Sequence, residues 1–465
     1  MSTKNRELYE SWPEWKAVLT LALPSVLVQI VMVIYNMTDT FFIGLAGSDA
    51  MTSAVTVCMP AFLFLTAIAN LFGIGAAGAV SRSLGKDKSR RAKNISRFGF
   101  WGSLALGGAY VLFAFFFRHI FVDLLGGRAP EVHPLALEYI LITVVIAGVP
   151  TVLNNYLAHL IRAEGRSGLA SVGLAAGGIL NMILDPLFMF VILTPGHEVA
   201  GAAIATGLSN VLTLVYYIVL ILHLRTKGET LFSFHLRREM FGDFVPREVI
   251  RTGLPACVMT LFENISYAVL ENIILGAGVA AQAGLGVAKK INMLAHSMVR
   301  GVSQGVLSLI GYTYAEGARI RMKKVVRITA TLSVAISAVC MTVFLLFGAQ
   351  LSGLFLRSGE TTLNYATRFL HILCIGAPFS ALAYTVISFF QATNRSQYSF
   401  LLAILRKGVL DIPLMFLLAS AARHTGAVWA TPIADVICCA AAVIMLVLWL
   451  KAHARKNKFS PRLSL

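Results

Sequence analysis

Six polar side chains lie inside stretches that are otherwise apolar. Asn36 and Asp39 are three residues apart in YNMTDTFFIG (35–44), so they share one face of a helix. Asn181 and Asp185 are four apart in ILNMILDPLF, and Pro186 removes a backbone donor and leaves a carbonyl free nearby. Thr206 and Asn210 repeat the four-residue spacing in IATGLSN. Carboxylate, amide, hydroxyl and loosened carbonyl oxygens are hard ligands; they suit Na⁺, or a proton held on a carboxylate. The pattern points to a cation-coupling site at Asp39, Asn181, Asp185 and Thr206, with Na⁺ as the metal such a set can take. The competing reading makes the cluster a structural tie between helices, and Asp39 an interfacial residue near a helix end.

A second set follows the same spacing with different chemistry. Aligning LDPLF with LDIPLMF sets Asp411 opposite Asp185, Lys407 near the place of Asn181, Thr431 opposite Thr206 and Asp435 opposite Asn210. Lys407 and Asp411 are four apart and can pair along one helix. A fixed ammonium would then fill the place that a mobile cation takes in the first set. Glu263, Tyr267 and Glu271 line one face at four-residue steps, and AKKINMLAHSMVR returns past them, setting Glu271 level with Lys289 and Lys290 and Glu263 level with His296. These residues read either as ion pairs or as a cavity wall. Tyr35, Asn36, Asn154, Asn210, Glu263 and Tyr267 are the candidate lining of a substrate cavity. No phosphate-binding glycine loop, metal-ligand cluster or nucleophile-and-base set appears, so neither an enzyme nor a bound cofactor is expected.

What must position these groups is a set of membrane spans. The 465 residues are 57% hydrophobic and 13% charged. Apolar runs of about 20 residues, enough to cross about 30 Å of hydrocarbon, recur along the whole length. Spans are expected near 17–44, 52–81, 97–117, 135–161, 167–193, 199–224, 247–276, 282–312, 325–350, 362–390, 397–420 and 425–450. The first residues show no cleavable leader pattern, and Trp12 and Trp15 precede span 1 as interfacial anchors. The six cysteines read as small buried apolar residues. An even number of spans puts both termini on one side. That side carries 29 Lys and Arg against four in the opposite loops. The positive-inside rule makes it the cytoplasm, with the chain in the plasma (inner) membrane. The net charge of +17 is then a rim facing anionic headgroups rather than a nucleic-acid surface.

The halves resemble each other in order. LALPSV at 21 matches TGLPAC at 252, IAGVP at 146 matches CIGAP at 374, IRAEGRS at 161 matches FQATNRS at 390, and GAAIATGLSNV at 201 matches GAVWATPIADV at 426. Each half holds six spans and starts on the same side. The expected architecture is therefore an all-α polytopic protein of 12 transmembrane helices in two six-helix lobes, related by a pseudo-two-fold along the membrane normal. The expected division is a cytoplasmic N-terminus (1–16), an N-lobe (17–224), a cytoplasmic linker (225–246), a C-lobe (247–450) and a basic tail (451–465).

The chain resembles the multidrug and toxic compound extrusion (MATE) family. The resemblance is carried by LALPSV and YNMTDTFFIG, by GIGAAGAVSRSLGKDKSRRA after span 2 and QGVLSLIGYTYAEG after span 8, and by IRAEGRS, FQATNRS and GLPACVMTLFEN. It implies a V-shaped pair of lobes and export of organic, often cationic, compounds in exchange for Na⁺ or H⁺. In the DinF-like branch the family's N-lobe cation site would fall on Asp39, Asn181, Asp185 and Thr206, while Glu263 resembles the span 7 acid of the NorM-like branch. Span 10 has no carboxylate between Thr361 and Gln391, and Ser308 stands near a position where the family often has proline. The expected function is a monomeric secondary antiporter for small organic molecules, working by alternating access in the lipid bilayer. The alternative is a flippase for a lipid-linked precursor, which would use Lys289, Lys290, Arg300 and Arg406 to hold phosphate.

Overall fold

Apolar runs with few helix breakers leave the backbone no partner but itself, so they fold as long helices. The computed structural model describes residues 3–46, 49–125, 127–355 and 360–458. Among these residues the chain is helical throughout its regular structure, with no strand. Span 1 is Glu14–Leu45, span 2 Asp49–Leu84, span 3 Ser89–Phe116, span 5 Ser167–Ile192 and span 6 Glu198–Thr226. Span 7 is Val245–Leu275, span 8 Val279–Glu316 and span 9 Arg319–Gly353. Spans 11 and 12 form one 57-residue run, Ser396–Ala452, broken at Ala422 and Arg423, where Arg423 takes a φ of 50°. The 12 helices make two lobes of six, related by the internal repeat.

Spans 4 and 10 each bend by more than 40° at a short break. Span 4 turns by 46° between His133–Ile146 and Gly148–Ala163, and span 10 by 44° between Glu360–Ile375 and Ala377–Ala392. Both bends fall on the matched IAGVP and CIGAP sequences, where Gly148 and Gly376 precede Pro150 and Pro378. Proline withholds a backbone donor from the turn before it, which bends a helix there. The turns that follow spans 4 and 10 also match. Gly165 (φ 84°) and Asn394 (φ 59°) occupy equivalent places in IRAEGRS and FQATNRS, and both take the left-handed backbone. Glycine, and less readily asparagine, tolerates that conformation.

The lobes meet along span 2 against span 7 and span 1 against span 8. Small residues let the backbones touch. A Cβ placed on Gly253 would strike the backbone of Leu71, and one on Gly305 would strike the backbone of Leu21 and Ala22. At the terminus-side ends Arg82 crosses from span 2. Its Nη1 donates to the carbonyls of Gln391 (3.1 Å) and Ala392 (3.0 Å), and its Nη2 to Glu248 Oε1 (2.8 Å) and Thr252 Oγ1 (3.1 Å). The short helix Thr3–Glu10 lies across the same face. Tyr9 donates to the carbonyl of Ala163 (3.3 Å) and to Ser308 Oγ (3.1 Å), so one phenol touches both lobes. A continuous apolar core runs through the N-lobe and this end of the C-lobe, whereas the far half of the C-lobe packs its own cluster around Leu270, Leu285, Phe369 and Val428. The molecule is thus closed at the basic face.

The 225–246 segment is more firmly held than a polar linker. Trp101 Nε1 donates to the carbonyl of Phe234 (3.1 Å), and Phe232 and Phe234 stack at their edges on Phe100. Glu164 accepts from Leu231 N (2.9 Å) and from Thr230. Burial pushes the Glu164 carboxyl up, and those donors work against the shift.

Candidate cation-coupling site

Asp39 reaches the interior from the far third of span 1, Asn181 and Asp185 from one face of span 5, and Thr206 from the start of span 6. All four side chains are buried, Asp185 completely. Asn181 Nδ2 bridges the set, donating to Asp185 Oδ1 (3.3 Å) and Thr206 Oγ1 (3.2 Å). Asp39 lies within electrostatic reach of Asp185, and Tyr35 and Tyr139 flank both. Pro186 follows Asp185, and the helix widens to a π-helical turn at Phe188–Ile192. Three oxygens, Asp39 Oδ1, Asn181 Oδ1 and Asp185 Oδ2, are buried without a hydrogen-bond donor. A buried polar atom left unsatisfied is costly, and two carboxylates within electrostatic reach of each other in a low-dielectric interior repel. Both penalties fall when a small cation or a proton arrives. The donors are all hard oxygens, which fits Na⁺ as well as H⁺. Lys290, from span 8 of the opposite lobe, is the cation that faces Asp39 at longer range.

The equivalent place in the C-lobe is filled. Lys407 Nζ lies 2.8 Å from Asp411 Oδ2. Ser266 Oγ donates to the same oxygen at 2.7 Å, and Thr431 Oγ1 to Oδ1 at 2.9 Å. Thr431, Asp411 and Lys407 thus take the places of Thr206, Asp185 and Asn181, with an ammonium for the amide and with Thr431 donating directly to the carboxylate. Asp435, opposite Asn210, pairs with Arg406 at 2.7 Å. Arg406 and Lys407 sit on a π-helical stretch, Leu405–Asp411, which turns both cations into the lobe.

The residues expected to line a substrate cavity do not form one group. Tyr35 and Asn36 stand beside the Asp39 cluster, with Asn36 Nδ2 donating to the carbonyl of Met32 at 2.6 Å. Asn154 Nδ2 donates to the carbonyl (2.8 Å) and Oδ1 (3.3 Å) of Asn210, joining spans 4 and 6. Glu263 and Tyr267 belong to the C-lobe network. Glu271 pairs with Lys289 at 2.8 Å, as its level suggested. Glu263 pairs with Arg300 instead of His296, at 3.1 Å, and Tyr384 donates to it at 3.4 Å. His296 Nδ1 is 3.1 Å from Ser380 Oγ. Arg300 lies one helical turn beyond His296, and its longer side chain reaches back. Tyr267 carries Lys289 (4.4 Å) and Lys407 (5.5 Å) over its ring, and Tyr384 carries Arg406 (4.5 Å). The cation–π contacts of Tyr384, and the donor Ser266, had no spacing signal of their own. Among the described residues no three His, Cys, Asp or Glu side chains gather as a metal cluster, so a cation here would rest on two carboxylates with an amide and a hydroxyl.

Comparison with known proteins gives a consistent picture. A family model described as MatE matches residues 24–187 and 255–417, one block in each lobe. The multidrug export protein MepA of Staphylococcus saprophyticus is 28% identical over 450 residues, covering 96% of both chains. MepA of Staphylococcus aureus strain MRSA252 is also 28% identical, with the same coverage. Among solved structures, an outward-facing multidrug resistance transporter of the MOP superfamily superposes with a TM-score of 0.89 at 22% identity, over 98% of this chain and 100% of that one. A MOP superfamily transporter from Pyrococcus furiosus, described as having a binding pocket of reverse polarity, superposes equally well at 22% identity.

Proposed function

The chain belongs to the MATE family of membrane transporters, which are not enzymes, and we propose that it is a secondary antiporter. It exports organic, mostly cationic or amphipathic compounds, as the names of its MepA relatives suggest for drugs, in exchange for H⁺ or Na⁺. The observation that carries this reading is the asymmetry between the lobes. The N-lobe buries Asp39 and Asp185 with unsatisfied oxygens, and the C-lobe covers the same place with Lys407.

Cation entry at Asp39, Asn181, Asp185 and Thr206 removes carboxylate repulsion and favours one packing of spans 1, 5 and 6. Substrate favours the other packing. Exchange follows because each ligand prefers a different state, and a ligand with equal affinity for both would shift nothing. Closure at the basic face supports an outward-facing state if that face is cytoplasmic, the orientation the charge bias favours. Tyr35, Asn36, Asn154, Asn210, Glu263 and Tyr267 remain the residues proposed to meet substrate as the lobes part. The flippase alternative is weakened by the ion pairs: Arg300, Arg406 and Lys289 are each taken up by a carboxylate.

The test is transport of a cationic dye by purified protein in liposomes under separately imposed proton and sodium gradients. One of the two gradients should drive export in the native chain and fail to do so with Asp39→Asn. Unchanged gradient-driven export by that variant would remove Asp39 from the mechanism.

A further inference from the structure

A cavity of about 470 Å³ opens on the basic face, away from the candidate cation site. Its walls come from both lobes. Arg82 belongs to the end of span 2, Lys86 and Lys88 to the turn after it and Arg91 to the first turn of span 3, whereas Arg251 and Arg395 belong to span 7 and the turn after span 10. Glu248 is its one carboxylate, and it is already held by two guanidinium groups, Arg82 at 2.8 Å and Arg91 at 2.7 Å. Arg251 donates to the amide oxygen of Gln397 at 3.2 Å. Lys86, Lys88 and Arg395 have no carboxylate within ion-pair distance among the described residues. Positive-inside bias explains why basic residues occur on this face. It does not explain why two lobes aim them into one concavity. Like charges gathered in a recess raise a local positive potential and hold one another apart, unless an anion joins them.

We propose that this recess binds a phosphoryl anion, an anionic lipid headgroup or a free phosphate, and that the bound anion clamps the lobes shut at this face. Guanidinium and ammonium groups converging from several sides are the usual recognition set for phosphate oxygens. The site exists only while the lobes are closed, because Arg82 spans them through the carbonyls of Gln391 and Ala392. Separation would pull Lys86 and Lys88 away from Arg251 and Arg395 and halve the charge the anion sees. An anion that binds one state better must populate that state. The inference does not depend on which ion drives transport.

The test uses the full chain in neutral detergent at fixed ionic strength. Thermal unfolding is followed while dihexanoyl phosphatidylglycerol, dihexanoyl phosphatidylcholine or sodium phosphate is added. Native protein should gain at least about 3 °C with the anionic lipid or with phosphate, and nothing with the zwitterionic lipid. A shift with phosphatidylglycerol alone assigns a lipid headgroup; a shift with phosphate alone assigns a soluble anion. The K86A/K88A/R395A variant should lose the shift, and K86R/K88R/R395K should keep it, which separates lost binding from lost folding. Equal shifts in the native and alanine chains, or none with either anion, would overturn the proposal.

Discussion

Lys407 stands where the internal repeat puts Asn181, and the exchange of an amide for an ammonium divides the two lobes chemically. Removing one partner of a buried pair leaves an uncompensated charge, which costs about 3–5 kcal/mol. Lys407→Met is therefore expected to destabilise the protein by about that amount, and K407M/D411L to recover most of it, as measured by denaturant unfolding in detergent. Asp185→Asn should behave in the opposite way: little loss of stability, but at least about a tenfold drop in gradient-driven export, about 1.4 kcal/mol of coupling or more. Asp411→Asn that abolished ion dependence, with Asp185→Asn leaving it intact, would reverse the assignment. The i, i+4 spacings made Asn181–Asp185 and Lys407–Asp411 visible in the sequence, because local pairs are fixed by helix geometry. Arg300 with Glu263 and Tyr9 with Ser308 were not visible. They join residues 37 and 299 positions apart, and only the way the helices pack sets such pairs.

At the scale of elements, span 7 meets span 2 backbone to backbone at Gly253. Gly253→Ala puts a methyl group where Leu71 already lies, so closure at the basic face must loosen. The expected result is a folded, membrane-inserted protein whose export rate falls several-fold; an unchanged rate would show that the contact is not needed for the cycle. The helix Thr3–Glu10 makes a second, gentler closure. Its Glu10 accepts from Tyr312 at 2.6 Å and pairs with Arg6 at 2.8 Å. The Tyr312 hydroxyl first, then Arg6, holds the Glu10 carboxyl below its ordinary range. A depressed folded value means that docking is fully stabilised above the ordinary carboxylate range and weakens as pH falls through the lowered value. Hydrogen exchange in residues 3–10 should accordingly quicken, relative to the intrinsic rate, on acidification from neutral to about pH 4. Slower relative exchange would contradict the sign. Most span boundaries were legible to within a few residues from hydropathy, but the helices of spans 3 and 9 begin earlier than expected, at Ser89 and Arg319, because basic residues extend them past the apolar run. The bends of spans 4 and 10 were present as repeated Gly-x-Pro sequences, although sequence gave no angle for them.

For the whole molecule, the duplicated order of motifs was enough to foresee two lobes, since each half starts on the same side and repeats the same six spans. Sequence did not reveal which face is shut, because that depends on glycine contacts and on Arg82 reaching across to main-chain carbonyls. Orientation can be checked directly. Lys227→Cys, in a background without other cysteines, should react with an impermeant maleimide in inverted vesicles and stay protected in intact cells. The filled C-lobe pocket also sets a limit on energetics. An ammonium built into the polypeptide never leaves, so on the proposed mechanism only the two carboxylates at 39 and 185 exchange with water. The electrical work harvested from membrane voltage per turnover is then capped by a pair of titratable oxyanions, and the steepest cargo gradient the protein can sustain is bounded by that small stoichiometry, however large its substrate range.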